Sequence, residues 1–406
     1  MAVGSNTEPL RTELAAALPD RPFELRFWDG SCLPSTVGDG GPVLEARSPR
    51  AVAHALLAPG QLGLTRAYVS GELTVDDLDK VLDLLRDWTP PPIDASRRRR
   101  LLLGALRAAG LMRPPRPPAV ELRPRGARHS IQRDARAVRH HYDVANDFFA
   151  LFLDASMTYS CAIFADPSRD DEPLESAQER KLETICHKLA LTPGERVLDV
   201  GCGWGSFAIH AATRHGADVV GITLSEPQAA LARERAAAAG VADLVDIRVA
   251  DYREMGEEQF DAIASIGMVE HVGGGRLDEY AAALARSLVP GGRLLNHGIT
   301  RLRADEAEAG AFSERYVFPD AAPMQLSRVQ LALERAGFVT EHVEGYAAHY
   351  ARTLAHWARR LDEHAAEGER IAGAQRMRVW RLYLRATRSG FQTGFASIYQ
   401  VRCRRP

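Results

Sequence analysis

The stretch from Glu195 to Thr300 constrains the fold most, because it alternates short apolar runs with alanine-rich helical ones. ERVLDVG, DVVGITLS, LVDIRVAD, FDAIASIG and GRLLNHGIT read as strands, while GSFAIHAATRHG, PQAALARERAAAAG and DEYAAALARSLVPGG read as helices. Strands separated by helices and short loops build a largely parallel sheet with helices on both faces. The expected class is therefore α/β, with a doubly wound, mostly parallel sheet.

The first of these strands runs into Asp199-Val200-Gly201-Cys202-Gly203-Trp204-Gly205. Glycines at a strand-to-helix turn permit close backbone approach and place helix N–H groups beside a ligand, which suits a nucleotide-type site. A tight structural turn without ligand, or a dinucleotide enzyme, gives a similar string; the latter normally shows GxGxxG with an acid about twenty residues on. Here the spacing is GxGxG, and Thr223, Ser225 and Gln228 follow the second strand where that acid would stand. Asp251 and Tyr252 follow the third strand, where a carboxylate can accept from an exocyclic amine and a ring can cover a purine.

At 406 residues the chain has room for two to four domains. Residues 1–95 mix strand-like PFELRFW and GPVLEAR with helix-like PRAVAHALLA and VDDLDKVLDLLRDW, which predicts a small α+β leading domain. Residues 96–130 are rich in proline and arginine and enclose LLLGALRAAGLM, so they read as a basic linker carrying a candidate amphipathic helix. Residues 131–406 form the expected catalytic domain.

Lys and Arg number 51 against 53 Asp and Glu, which gives no global charge for binding nucleic acid. No run of eighteen apolar residues is present, and the first twenty residues lack the order of a signal peptide, so a cytoplasmic location is expected. Five scattered cysteines without a CxxC pair argue against a disulfide framework or a zinc knuckle, and no metal is expected. Arg139, His140 and His141 read as solvated or structural, lacking partners at metal-ligand spacing.

The glycine turn and the strand ends after it together resemble the class I S-adenosylmethionine-dependent methyltransferases. HHYDVANDFFALFLDASMTYSCAIF (140–164), GITLSEPQ, IGMVEHVG (266–273), NHGI (296–299), RYVFPD (315–320) and HYARTLAHW (349–357) narrow the likeness. In this order they resemble the cyclopropane-fatty-acid-synthase family, including its mycolic acid members, over roughly residues 130–406. The leading domain resembles that of the members acting on bacterial phospholipids.

The resemblance implies cofactor contacts from Tyr159, Ser160, Gly201, Gly203, Thr223 and Gln228, with Tyr252 and Arg253 beside the adenine and Asp199 orienting the turn. It further implies a bound bicarbonate as base, held by Cys161, Glu270, His297, Ile299 and Tyr350. Two departures stand out: Gly298 replaces the family's usual Thr, and DAAPMQLS follows RYVFP where a glycine-rich turn is usual. Taken singly, these residues have plainer readings. Cys161 alone is an inert buried thiol, Glu270 and His271 a surface pair, and Tyr350 with Trp357 a core contact at helical spacing.

The implied reaction carries the methyl carbon of S-adenosylmethionine onto a cis double bond of an unsaturated phospholipid acyl chain at the membrane surface. A methylene-branched product, mycolic-type substrates and a non-catalytic cofactor-binding scaffold are the alternatives. Arg97 to Arg100, Arg107, Arg113 and Arg116 bracket Leu101, Leu102, Leu103, Leu106, Leu111 and Met112, the composition of a helix that lies on anionic lipid. A solvated linker fits the same composition, and RNA is the rival ligand, although aromatic stacking elements are absent from this segment. Similar enzymes with a leading domain dimerise, so the resemblance leaves room for a homodimer.

Overall fold

The computed structural model describes residues 7–109, 115–122, 146–303, 310–317 and 323–406. The HHYD portion of the first motif, the Arg139–His141 cluster, Arg113, Leu111, Met112 and the end of RYVFPD lie outside these residues. The chain divides into two compact units: Met1–Leu122 with Gly310–Val317 and Gly373–Ala386, and the remainder.

In the leading unit, α1 (Glu8–Ala17) precedes β1 (Glu24–Arg26), β2 (Cys32–Leu33) and β3 (Val43–Ala46). Then come α2 (Pro49–Leu57), α3 (Gln61–Ser70), β4 (Leu73–Val75), α4 (Leu78–Asp87) and α5 (Ala95–Ala109). The strands form one sheet in the order β2-β1-β3-β4. Asp77 opens α4 by accepting from the N–H groups of Asp79 and Lys80, a cap that satisfies two otherwise orphaned donors.

The unit runs past the expected boundary at residue 95. Helix α5 turns Leu101, Ala105 and Ala108 into a core with Leu10, Ala17, Phe27 and Leu33, because these residues recur at helical spacing on one face. Beyond it, Glu121 receives a two-pronged ion pair from Arg66 at 2.7 Å and a hydrogen bond from the Tyr316 hydroxyl at 3.0 Å. Much of the stretch expected as a linker is thus part of a folded unit.

The second unit contains α6 (Asn146–Ala150), α7 (Leu174–Leu189), β5 (Arg196–Val200), α8 (Ser206–His215), β6 (Asp218–Thr223), α9 (Glu226–Ala238) and β7 (Val245–Val249). It continues through β8 (Phe260–Ile266), α10 (Val269–Val272), α11 (Leu277–Arg286) and β9 (Leu288–Arg301). After α12 (Ala311–Tyr316), which belongs to the leading unit, follow α13 (Leu326–Arg335), β10 (Val339–Gly345), α14 (Ala347–Glu363) and α15 (Ala365–Ala372). Helix α16 (Ala374–Gln392), shared between the units, leads into β11 (Ala396–Arg404).

Seven strands lie in the order β10-β11-β9-β8-β5-β6-β7. The five from β7 to β9 are mutually parallel, and the β10–β11 pair closes the sheet antiparallel against β9. The expected doubly wound α/β sheet is present. Its central strands are buried on both faces, which explains why they read as nearly continuous apolar runs. Among the described residues, no helix is long and apolar enough to cross a membrane.

Candidate active site

Strand order reverses between β5 and β8, and in open α/β sheets ligands bind beyond the carboxyl ends of the strands at such a point. A pocket opens there. After β5 it is lined by Val200, Gly201 and Gly203, and after β6 by Thr223, Leu224 and Gln228. Asp251, Tyr252 and Arg253 contribute after β7, and Met268 and His271 after β8.

Gly201 and Gly203 have φ of +81° and +55°, the left-handed region that side chains disfavour. A Cβ on Gly203 would meet nothing within 4 Å, so its backbone lies bare to the pocket. Asp199 stands behind the turn, almost fully buried, and accepts from the Ala208 N–H in the first turn of α8. Burial pushes its carboxyl up to about 7. It does not line the pocket.

Thr223 donates to the Gln228 side chain at 2.8 Å, while Ser225 caps α9 by accepting from the Gln228 N–H. Asp251 differs from the free carboxylate that the sequence suggests. Its Oδ1 accepts from Arg253 Nε at 2.8 Å and its Oδ2 from the terminal guanidinium nitrogen at 2.6 Å. It faces the pocket as half of a two-pronged ion pair. The same guanidinium lies 5.4 Å from the centre of the Tyr252 ring, which is steadied edge-on by Tyr280.

Tyr159 and Ser160 do not line this pocket. The Tyr159 ring packs 5.1 Å from Trp357 and 5.5 Å from Phe149, and Trp357 in turn meets Tyr350 edge-on at 6.0 Å. Ser160 receives the ammonium of Lys181 at 3.0 Å. Lys181 is 1% exposed, and burial lowers its ammonium to about 8 despite Asp154, Cys161 and Asp199 nearby. Nothing in the sequence singles it out, since a lysine on an amphipathic helix is ordinarily solvated.

Of the five residues expected to hold an anion, Glu270 on α10 accepts from the Ile299 N–H of β9, and His297 stands two residues before Ile299 on the same strand. Glu270 is buried rather than part of a surface pair, and desolvation raises its carboxyl to about 7 although the N–H groups of Glu270 and Ile299 oppose this. Burial lowers the His297 imidazole to about 3, with Lys181 and Lys188 pushing the same way, so the ring is neutral. Glu270 Oε2 and His297 Nε2 are both buried without a hydrogen-bond partner among the described residues. Such groups cost about 1–3 kcal/mol when left unpaired, so each suits a polar guest.

Cys161 approaches the Tyr346 backbone, whereas the Tyr350 ring packs on Trp357 and Phe391. The buried Cys161 thiol lies 3.8 Å from the Tyr346 carbonyl, and burial raises it far above the usual thiol range, which keeps it protonated and a donor. The Tyr350 N–H donates to that carbonyl at 3.0 Å, and the Tyr346 ring lies 6.0 Å from His297.

The family model described as mycolic acid cyclopropane synthetase matches residues 129–401. The chain belongs to this family. A probable fatty acid methyltransferase of Mycobacterium tuberculosis is 39% identical over 403 residues, covering 96% of this chain and 92% of that protein. Cyclopropane-fatty-acyl-phospholipid synthase of Escherichia coli K12 is 34% identical over 350 residues, 85% of this chain and 84% of that one. The solved mycolic acid cyclopropane synthase CmaA1, complexed with SAH and CTAB, superposes with a TM-score of 0.62 at 32% identity, covering 66% of this chain and 98% of the other. As a cyclopropane-synthetase-family member, the chain is an S-adenosylmethionine-dependent methyltransferase.

Several pocket and neighbouring residues escaped the sequence reading. Met268 and His271 line the pocket from the EHVG loop, and Lys188, Tyr346 and Gln400 surround His297. Elsewhere, Cys186 and the rings of His210 and His215 offer metal-ligand atoms within 4.8 Å of one another, a grouping the expectation of no metal did not foresee. Glu183 pairs with His187, His210 and His215 at 2.6, 2.9 and 3.2 Å.

Proposed function

We propose that this chain is a cyclopropane-fatty-acyl-phospholipid synthase that uses a bound bicarbonate as base. In that reaction the sulfonium methyl carbon leaves sulfur, bonds to the alkene through its π pair, and loses one proton, whose bonding pair closes the ring. The observation that carries the reading is that Glu270 Oε2, an acceptor, and His297 Nε2, a donor position, are each buried without a partner among the described residues. A hydrogencarbonate offers one O–H and several acceptor oxygens, so it matches both, with the Ile299 backbone, the Cys161 thiol and the Tyr350 hydroxyl as further supports. Glu270 takes the hydrogen bond of the anion's O–H and leaves its free oxygen basic.

The cofactor supplies an electrophilic methyl group. The chain's own part is to align it with the alkene and exclude water, for which Phe149, Phe152, Tyr159, Trp204 and Trp357 form a continuous aromatic cluster. Their faces also favour positive charge developing on the acyl chain.

Membrane docking fits α5. Its outward face carries Leu102, Leu103 and Leu106, 42%, 43% and 55% exposed, beside the exposed Arg98, Arg99 and Arg107. Exposed leucines flanked by arginines suit an anionic lipid surface better than a solvated helix. A phospholipid chain is therefore the preferred substrate in this reading, and the protein is peripheral to the membrane. Ring closure is tested by incubating the protein with S-adenosylmethionine and oleoyl-phospholipid vesicles and taking proton NMR spectra of the released chains. Cyclopropyl protons are expected; an exocyclic methylene instead would favour the second reading, a branched product, which the higher identity to a fatty acid methyltransferase supports.

A further inference from the structure

We propose that Gln400, anchored by Lys188, is the positioning residue that fixes His297 as its Nε2–H tautomer and so aims a hydrogen-bond donor into the reaction centre. The inference rests on the reading of His297 as a ligand to the anion, and extends it to residues in contact with neither substrate nor cofactor.

The chain of constraint begins at an ammonium, which has only protons to give. Lys188 Nζ donates to Gln400 Oε1 at 2.7 Å, to the Tyr346 hydroxyl at 3.0 Å and to Glu344 at 2.5 Å. The Tyr346 hydroxyl passes its own proton to Glu344 at 2.6 Å, so the acceptor capacity around Lys188 is matched to its donors. Gln400 must then present oxygen to Lys188 and its NH2 group on the opposite side. That NH2 lies 3.3 Å from His297 Nδ1.

An amide NH2 cannot accept, so Nδ1 has to carry the lone pair. A neutral imidazole with a bare Nδ1 holds its proton on Nε2, the ring atom with no partner among the described residues. The reversed amide would set NH2 against the ammonium and lose the hydrogen bond from Lys188, so Lys188 holds the amide in the orientation that leaves Nδ1 bare. Gln400 is fully buried and His297 is 1% exposed, so no bulk water competes. The backbone holds the geometry, because Gln400 and His297 face each other directly in the antiparallel β9–β11 register. Ring-orienting partners of this kind recur behind imidazoles that act on a ligand through their other nitrogen.

The test reads the tautomer itself. In protein labelled with 15N-histidine, in bicarbonate-free buffer, the protonated and bare ring nitrogens are distinguished by chemical shift and by their couplings to the ring protons. The His297 signals are assigned by their loss in His297→Asn. Wild type is expected to show Nε2–H. Gln400→Glu is expected to invert the ring to Nδ1–H, since a carboxylate held by Lys188 can only accept, and to lower turnover about 10- to 100-fold, the usual cost of losing such an orienting partner. Lys188→Met, which frees the amide to turn over, should give a mixture of the two forms.

A wild-type ring protonated on Nδ1 or on both nitrogens would overturn the proposal, as would a Gln400→Glu ring that stays Nε2–H. Should neither variant fold, the wild-type spectrum alone decides. If the tautomers behave as stated but wild-type turnover ignores bicarbonate, the positioning role stands and the anion assignment falls.

Discussion

Gly298 lies directly over the side chain of Val269: a Cβ built on the glycine would sit 2.2 Å from Val269 Cγ1 and 3.2 Å from Glu270 Oε2. The glycine that departs from the family's usual threonine is therefore matched to a valine one residue before the buried carboxylate. The contact ties the spacing of the β9 end to that of α10.

Gly298→Thr should consequently destabilise the protein by about 1–3 kcal/mol through overpacking and displace Glu270. Adding Val269→Ala should recover most of that loss. The check is a double-mutant cycle on urea midpoints, and additive effects of the two substitutions would show that the two positions are not coupled.

The Glu270 carboxyl has its own pH signature. Its folded value of about 7 lies above the ordinary 4.5, so the native state binds this proton more tightly than the unfolded chain does. The associated stability is complete below about pH 4.5 and is lost as pH rises through about 7, amounting to ~3 kcal/mol at most. Glu270→Gln should then gain stability relative to wild type between pH 4.5 and 8.5 in bicarbonate-free buffer. An unchanging difference in urea midpoint across that range would show that the carboxyl is not held protonated by burial.

Removing the exposed apolar stripe should separate docking from chemistry. Leu102→Ser, Leu103→Ser and Leu106→Ser together should weaken sedimentation with anionic vesicles, and Arg98→Glu with Arg99→Glu should do so in low salt, each basic residue contributing about 1 kcal/mol. Cofactor affinity by calorimetry should stay unchanged. Vesicle binding equal to wild type in both variants would leave α5 as a structural helix only.

The parallel sheet was legible because its strands are apolar on both faces and its helices carry a 3.6-residue period, and the glycine turn because Gly201 and Gly203 occupy left-handed backbone. Thr223, Gln228, Asp251, Tyr252 and Arg253 were legible as strand-end residues that line the pocket. The packing of α5 was masked by its arginines: a charged run dominates the composition, while the buried stripe of Leu101, Ala105 and Ala108 is short. Lys181, Lys188 and Gln400 left no signal because their importance comes from long-range neighbours. Lys188 and Gln400 are 212 positions apart, and no local pattern records a hydrogen bond across that distance.

The central claim, that Glu270 and His297 hold a bicarbonate base, is tested most directly by turnover on oleoyl-phospholipid vesicles in carefully decarbonated buffer, with and without added bicarbonate, for wild type and Glu270→Gln. Wild-type turnover should fall on decarbonation and return on addition. Glu270→Gln should bind cofactor normally yet turn over about 10- to 100-fold more slowly, the rate equivalent of losing a charged hydrogen bond of about 1.5–3 kcal/mol, and should recover in part at high bicarbonate. Wild-type turnover indifferent to bicarbonate, together with an unimpaired Glu270→Gln enzyme, would contradict the account and require a different base.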